Sequence, residues 1–419
     1  MTHPARLDRQ LRIPHWNQDL LARAQIGVVG EGGLLTSLYL LSAMALGINH
    51  LRVVAPRLDE RLLSLGQRLN PDCRLSFFQG YYTHPVCREI FLACPLIIDL
   101  SGYSLAGKIL LEQAFHEGLP VVRGGVWQEA RNQGFRIFTY LSGREWQELQ
   151  QVLTTRNLPQ NANSEDGVLE IIAAGLILEE TKNILMQNPV SPALITYQGL
   201  RPTVLASSPR ILIAGAGALG NFVGLGLALT GFSQITFMDP DVIEVTNLNR
   251  QVCFADAVGA SKAEVLAARL NSRFHTSAHA VVDYFREGTD ISGYDVVFDC
   301  VDNFASRIAL SEACAGAGTI LVSGGTGIDG GQVVVFHPNL QPQTPAAVLG
   351  FYDIAASDRS QGYQRERAAC IYRPDPSVIM SNQIIGGFMV EAGRKALAGE
   401  VAPPLFYQAE AAQRFTFMQ

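Results

Sequence analysis

Apolar and polar positions along the chain follow a recurring order: a short apolar run, a glycine-rich turn, then a longer amphipathic stretch. Gln25-Ile26-Gly27-Val28-Val29-Gly30 reads as a buried strand entering such a turn, and Arg210-Ile211-Leu212-Ile213-Ala214-Gly215 reads the same way. Helical apolar spacing follows from Leu34 to Ala45 and from Leu219 to Leu229, and each is succeeded by a second strand, Leu51 to Pro56 and Gln234 to Pro240. The parallel resumes downstream: Pro95 to Asp99 matches Asp295 to Asp299, Val121 to Gly125 matches Leu321 to Gly325, and Ile172 to Glu179 matches Ile385 to Glu391. An insertion in the second copy, containing Asn247-Leu248-Asn249-Arg250-Gln251, accounts for the changed offset.

Strands that alternate with amphipathic helices predict an α/β chain of two tandem, Rossmann-like doubly wound sheets, related as an internal pseudo-dimer. The boundaries predicted are 1–200 for the first half and 201–337 for the second. A crossing loop of little periodicity follows at 338–376, then a closing helix and tail at 377–419. The halves have diverged. The second keeps Gly215-x-Gly217-x-x-Gly220, whereas the first has Gly30-x-Gly32 with Leu35 at the third glycine position. Asp239, at the end of the second strand, becomes Ala55 or Pro56. A third glycine lets helix and strand approach beside a phosphate, so the first half is expected to be a scaffold without a nucleotide of its own.

Composition narrows the class. The 419 residues suffice for two or three domains, and 48% hydrophobic with 17% charged residues describes a globular chain with a large core. A net charge of −6 argues against general nucleic-acid binding, which needs a basic surface. The polar start of the chain and the lack of a long apolar run predict neither signal peptide nor membrane span. The seven cysteines are scattered and form no Cys-x-x-Cys pair, so the expectation is a cytoplasmic protein without a disulfide framework or structural zinc. Only four lysines occur, and an Arg-rich, Lys-poor composition fits a bacterial source.

The glycine turn sits between a strand and a helix, and Asp239 lies about 20 residues on, the usual place for a ribose acceptor. Those features alone fit a nicotinamide-dependent oxidoreductase equally well. The residues beyond Asp239 do not: Asp241, Asn247 to Gln251, Lys262 and Asp299-Cys300-Val301-Asp302-Asn303. Cationic side chains beside a phosphate turn can offset charge during attack on a triphosphate, and a strand-end carboxylate can share Mg²⁺ with phosphate oxygens. Read from the residues alone, Asn247 or Gln251 could instead brace a turn.

With these residues in place, the segment from Arg210 to about Arg307 resembles the adenylation domain of the ubiquitin-activating enzyme superfamily, which includes activators of sulfur-carrier proteins. By motif position, the resemblance implies ATP held by Gly215, Gly217, Gly220, Asp239, Asp241, Asn247, Arg250, Gln251 and Lys262, with Asp302 as the Mg²⁺ ligand. It also implies that Arg9, in Asp8-Arg9-Gln10, acts as an arginine finger, here in cis across the two fused halves. Cys370, in Ala369-Cys370-Ile371-Tyr372-Arg373 at the end of the crossing loop, resembles the thioester cysteine of the superfamily's non-canonical activators. Nearby Arg365, Arg367 and Arg373 would favour its thiolate.

The function so implied is adenylation of a ubiquitin-like protein at its C-terminal glycine. Capture on Cys370 and transfer to a conjugating enzyme would complete the sequence of steps. The alternative is an adenylyltransferase for a sulfur-carrier protein or peptide, without an obligatory thioester. Cys253, Cys300 and Cys314 read as core, and Cys73, His84, Cys87 and Cys94 match no zinc spacing.

Overall fold

The computed structural model describes residues 4–102, 104–141, 165–202, 208–360, 375–411 and 413–418. The first sheet contains β1 (Gln25–Gly30), β2 (His50–Ala55), β3 (Arg74–Gln79), β4 (Leu96–Leu100), β5 (Val121–Gln128), β6 (Asn132–Tyr140) and β7 (Ile195–Leu200). The second contains β8 (Ile211–Ala214), β9 (Ile235–Met238), β10 (His279–Val281), β11 (Val296–Asp299), β12 (Ile320–Thr326), β13 (Gly330–Phe336), β14 (Leu405–Gln408) and β15 (Phe415–Phe417). Their orders, β3-β2-β1-β4-β5-β6-β7 and β10-β9-β8-β11-β12-β13-β14-β15, are one topology used twice, the second copy adding a final strand. The first five strands of each sheet are parallel, the rest antiparallel. β1 and β8 are the points where the strand order reverses, which is where ligands bind in such sheets.

The registers identify equivalent residues. Val29 pairs with Asp99 and with Val54, whereas Ala214 pairs with Asp299 and with Met238. Gly30 therefore corresponds to Gly215, Ala55 to Asp239, and Gly102 to Asp302. The next helices start at Leu34 and Ala218, with Gly33 and Gly217 as their N-caps, so the first turn is one residue longer. Thr36, not Leu35, then occupies the third glycine's place, and its side chain lies against Gly30. Counting along the sequence could not show this, because the extra residue sits inside the turn.

The long helices Val168–Leu185 and Ile379–Leu397 pack together between the two sheets. Their contacts repeat about a pseudo-twofold: Gly175 lies against Gln383 and Ile384, while Gly387 lies against Ile171 and Ile172. Gln383 Nε2 donates across this contact to the Ile171 carbonyl at 3.0 Å. The largest apolar core runs through both halves at this seam, and smaller cores lie on the opposite face of each sheet. A buried charge cluster crosses it: Arg394 Nη1 donates to Asp166 Oδ1 at 2.9 Å and Nη2 to Asp166 Oδ2 at 3.1 Å, just before the first helix, and Nη2 also meets Glu391 of its own helix.

The crossing loop is not without structure. Pro345–Val348 and Phe351–Ser360 are helical, the first capped by the Thr344 side chain with proline at its start. Two short helices broken by Gly350 are too brief to show a helical period in sequence. Cys370, with Arg365, Arg367 and Arg373, lies outside the described residues. No helix among the described residues is long and apolar enough to cross a membrane.

Candidate functional site

β8 ends in a turn that only glycine accommodates. Gly215 has φ +96°, and a β-carbon there would come within 2.5 Å of the Cys300 carbonyl oxygen. That closeness brings the turn against the loop after β11, which carries Asp302. A β-carbon on Gly220 would overlap the Gly215 carbonyl, so the third glycine is needed to seat the helix Ala218–Leu229 under the turn. At Gly217, by contrast, a β-carbon would meet nothing within 4 Å. The helix N-terminus there has no side-chain cap, leaving its first amide groups and the positive end of the helix dipole open to an anion.

The first half has the same turn with its opening filled. Glu165 Oε1 accepts a hydrogen bond from the Leu34 amide at 2.6 Å, so a carboxylate caps the helix where a phosphate would sit. A β-carbon on Gly33 would overlap that carboxylate, and one on Gly102 would overlap the carboxylate of Glu31. Burial raises the Glu31 carboxyl to about 7, opposed by a hydrogen bond from the Gly102 backbone.

Asp239 is buried at the end of β9. Its Oδ2 accepts from the Ala216 amide at 2.7 Å and its Oδ1 from the Asp241 amide at 2.8 Å, which fixes it beside the glycine turn with lone pairs to spare for a hydroxyl. Burial pushes its carboxyl above the ordinary value, and the charge of Lys262 opposes this. Lys262 opens the helix Lys262–Phe274. Its Nζ donates to Asp241 Oδ2 at 2.7 Å, and its amide to the Asp241 carbonyl at 2.9 Å.

The inserted segment builds the other wall. Arg250 is buried, donating from Nη1 to the Thr246 carbonyl at 3.0 Å and to Asn249 Oδ1 at 2.8 Å. Burial, and then the nearby charge of Arg9, bring its guanidinium down to about 10, with Glu244 opposing. The two like charges disfavour one another, which an anion would relieve. Asn247 does what a turn residue does: its Oδ1 accepts from the Glu244 amide at 3.0 Å. Gln251 Oε1 is buried with no hydrogen-bond partner among the described residues, as fits an acceptor kept for a ligand.

Arg9 reaches this wall from the N-terminal helix Asp8–Leu11. Its Nη1 donates to the Asp375 carbonyl at 2.7 Å, and its own carbonyl accepts from the Ser377 amide at 3.4 Å. Gln10 supplies the anchor: its Oε1 accepts from Asn249 Nδ2 at 3.1 Å, while its Nε2 donates to the Leu46 carbonyl at 2.9 Å. One glutamine therefore ties the first half's core to the second half's insertion.

Asp302 is exposed, and it makes no hydrogen bond or ion pair among the described residues. The helix after it is capped by Asn303, not by Asp302. One residue of the site escaped the sequence reading. Asn221 is fully buried; its Nδ2 donates to the Ala216 and Gly217 carbonyls at 3.1 and 2.9 Å, and its Oδ1 accepts from the Cys253 amide at 2.9 Å. It joins the glycine turn to the inserted segment. The signal was a lone amide side chain in the otherwise apolar helix Ala218–Leu229. Cys253, Cys300 and Cys314 are buried, as their contexts implied, and burial raises each thiol.

Comparison with known proteins adds to this geometry. Residues 193–418, more than half of the chain, match the ThiF family. The chain is 32% identical over 188 residues to the pig adenylyltransferase and sulfurtransferase MOCS3, covering 40% of this chain and 41% of that protein. It is 36% identical over 132 residues to the molybdopterin-synthase adenylyltransferase of Escherichia coli K12, covering 30% of this chain and 53% of that one. The matched stretches thus span about half or less of these relatives. A crystal structure of E. coli MccB with AMPCPP and MccA superposes with a TM-score of 0.42 at 18% identity, covering 50% of this chain and 63% of that one.

Proposed function

Because the chain belongs to the ThiF family, we propose that it is an ATP-dependent adenylyltransferase acting on the C-terminal carboxylate of a small sulfur-carrier or ubiquitin-like protein. One nucleotide is held by the second half, at the ends of β8 and β11. The observation that carries this reading is the contrast between the two glycine turns: open at Gly217, filled by the Glu165 carboxylate at Gly33. The first half is then a scaffold, and its contribution is the N-terminal arm that brings Arg9 to Arg250 within one chain. The names of the relatives, adenylyltransferases in both cases, favour the sulfur-carrier class of substrate.

In the reaction, a carboxylate oxygen of the small protein attacks the α-phosphorus of ATP. The bond from that phosphorus to the bridging oxygen breaks, pyrophosphate leaves, and an acyl-adenylate remains. Gly215 to Gly220 would receive phosphate at the helix N-terminus, and Asp239 the ribose. Arg250, Lys262 and Arg9 would offset the charge that builds on the phosphates. For Lys262 this means exchanging Asp241 for a phosphate oxygen, a short movement of a flexible side chain. Among the described residues no three His, Cys, Asp or Glu side chains gather to hold a metal ion unaided. Mg²⁺ fits Asp302 on the usual pattern of one carboxylate completed by phosphate oxygens and water, and there it would neutralise charge on the departing pyrophosphate.

ATP–pyrophosphate exchange, assayed with small proteins ending in glycine, tests the reading. Exchange that depends on the small protein is expected; none with any of them, together with NAD binding in place of ATP, would sink it. Cys370→Ala tests the thioester step separately. Loss of a thiol-labile adduct with exchange intact would add capture on Cys370 and transfer to a conjugating enzyme, and an unchanged product would leave adenylation as the complete activity.

A further inference from the structure

Asp99 and Asp299 hold equivalent buried positions, at the ends of β4 and β11, and each meets one guanidinium group. The groups arrive from different elements. In the first half Arg123 of β5 donates from Nη1 to Asp99 Oδ2 at 2.7 Å. In the second half Arg307, on the helix Phe304–Ala317, places Nη1 3.5 Å from Asp299 Oδ2, and Ser323 Oγ of β12 donates to the same oxygen at 2.6 Å. Register makes Ser323 the counterpart of Arg123, since they pair with Asp299 and Asp99. The counterpart of Arg307 is Gly107, where a β-carbon would overlap Arg123 Nη1. Arginine and small residue have traded places while the buried charge pair is kept.

The trade changes what else the guanidinium reaches. Arg307 Nη2 donates at 2.7 Å to the carbonyl of Val301, which belongs to the peptide that joins Val301 to Asp302. Asp299 Oδ1 accepts from the Val301 amide at 3.2 Å, and Asn303 accepts from the Ser306 amide at 2.8 Å. Exposed Asp302 therefore stands between two anchored stretches of backbone. In the first half Gly102 takes its place, and Arg123 Nη2 is buried with no hydrogen-bond partner among the described residues. Asp99 Oδ1 accepts from the Ser101 amide at 3.0 Å, as Asp299 does from Val301. The difference between the halves is therefore the guanidinium bond to the Val301 carbonyl, for which Arg123 offers no counterpart among the described residues.

We propose that Arg307 is a positioning residue for the nucleotide's metal ion: by holding the Val301 carbonyl it fixes the peptide that aims Asp302. This rests on the reading of Asp302 as the Mg²⁺ carboxylate. The buried Arg307 guanidinium makes its hydrogen bonds to Asp299, Ser323 and the Val301 carbonyl, so its role is through Asp302, and its arrival from the helix, not the strand, is what lets it reach that carbonyl. Partners of this kind behind a metal ligand are worth about 10–100-fold in metal affinity.

Calorimetric titration of the full chain with ATP over a series of Mg²⁺ concentrations tests it, with thermal unfolding followed in parallel. The double variant Arg307→Gly, Ser323→Arg copies the first half's wiring and keeps Asp299 paired. It is expected to melt close to the parent and to bind ATP equally well without Mg²⁺, yet to need roughly 10-fold more Mg²⁺ for half-maximal tightening. Asp302→Asn should lose the Mg²⁺ response altogether. Arg307→Lys, which keeps a charge near Asp299 but lacks the fork, decides the matter if the double variant melts early. An unchanged Mg²⁺ midpoint in the folded variant, with the response lost in Asp302→Asn, overturns the role of Arg307; so does early melting of both Arg307 variants, which assigns it to stability alone. An intact response in Asp302→Asn instead overturns the reading of Asp302 beneath it.

Discussion

Burial and Arg9 both disfavour the charge of Arg250, and Glu244 and the hydrogen bonds to Thr246 and Asn249 oppose them, so an anion would add to that compensation. Removal of either arginine should therefore affect activity and stability differently. Arg250→Ala is expected to lower ATP–pyrophosphate exchange by roughly 10²–10³-fold, the usual cost of losing a donor aimed at developing charge. Arg9→Ala should also lower exchange strongly while leaving the melting temperature nearly unchanged, and a large drop in melting temperature would make Arg9 a structural residue. Two of the motif's three glycines give a second contrast. Gly220→Ala pushes a β-carbon into the Gly215 carbonyl, so both melting temperature and ATP affinity should fall. Gly217→Ala meets no protein atom within 4 Å, so only ATP affinity should fall. Equal loss of stability in both variants would contradict the open turn.

At the scale of elements, the turn after β1 and the helix after it show how one residue of turn length redirects a sequence alignment. Thr36 comes to the third glycine's place, and the space that a nucleotide would need is taken by carboxylates from Glu165 and Glu31. The Glu31 carboxyl titrates near 7 in the folded chain and near 4.5 when exposed, so the folded state binds its proton more tightly. The stability this provides is complete below about 4.5 and is lost as pH rises towards 7. The melting temperature of the parent should accordingly fall, relative to Glu31→Gln, between pH 5 and pH 7 and then run parallel to it. Parallel curves throughout would mean that Glu31 is solvated. Strands and long helices were legible from apolar periodicity, but the short helices Pro345–Val348 and Phe351–Ser360 were not. Each presents too few turns for a period to emerge, and their burial depends on what they pack against.

For the whole molecule, the seam between the halves is the main structural commitment. Arg394 sits there between Asp166 of the first half and Glu391 of its own helix, all three buried. Arg394→Ala leaves Asp166 without its guanidinium partner and Glu391 with only the more distant Lys395, 3.7 Å away, and should cost about 3–5 kcal/mol, read as a shift of the urea midpoint. A loss within error would show that the seam is wet. On the proposed function the same architecture predicts the nucleotide stoichiometry, since Ala55 replaces Asp239 and Glu165 caps the first turn. Calorimetry is expected to give one ATP per chain; two would restore the first half as a working site.

The sequence by itself determined the duplication, the doubly wound sheets and the residue types at the second glycine turn, because periodicity and glycine spacing are local properties of the chain. Its resemblance to the adenylation domain of the ubiquitin-activating enzyme superfamily also implied Asp239, Arg250, Lys262 and Asp302 as site residues. Only the tertiary structure decided which residues of the two halves are equivalent, that Glu165 and Glu31 occupy the first turn, and that Asn221 and Gln10 bind distant segments together. These depend on contacts between residues far apart in sequence, where strand register and turn length, not composition, fix which atoms meet.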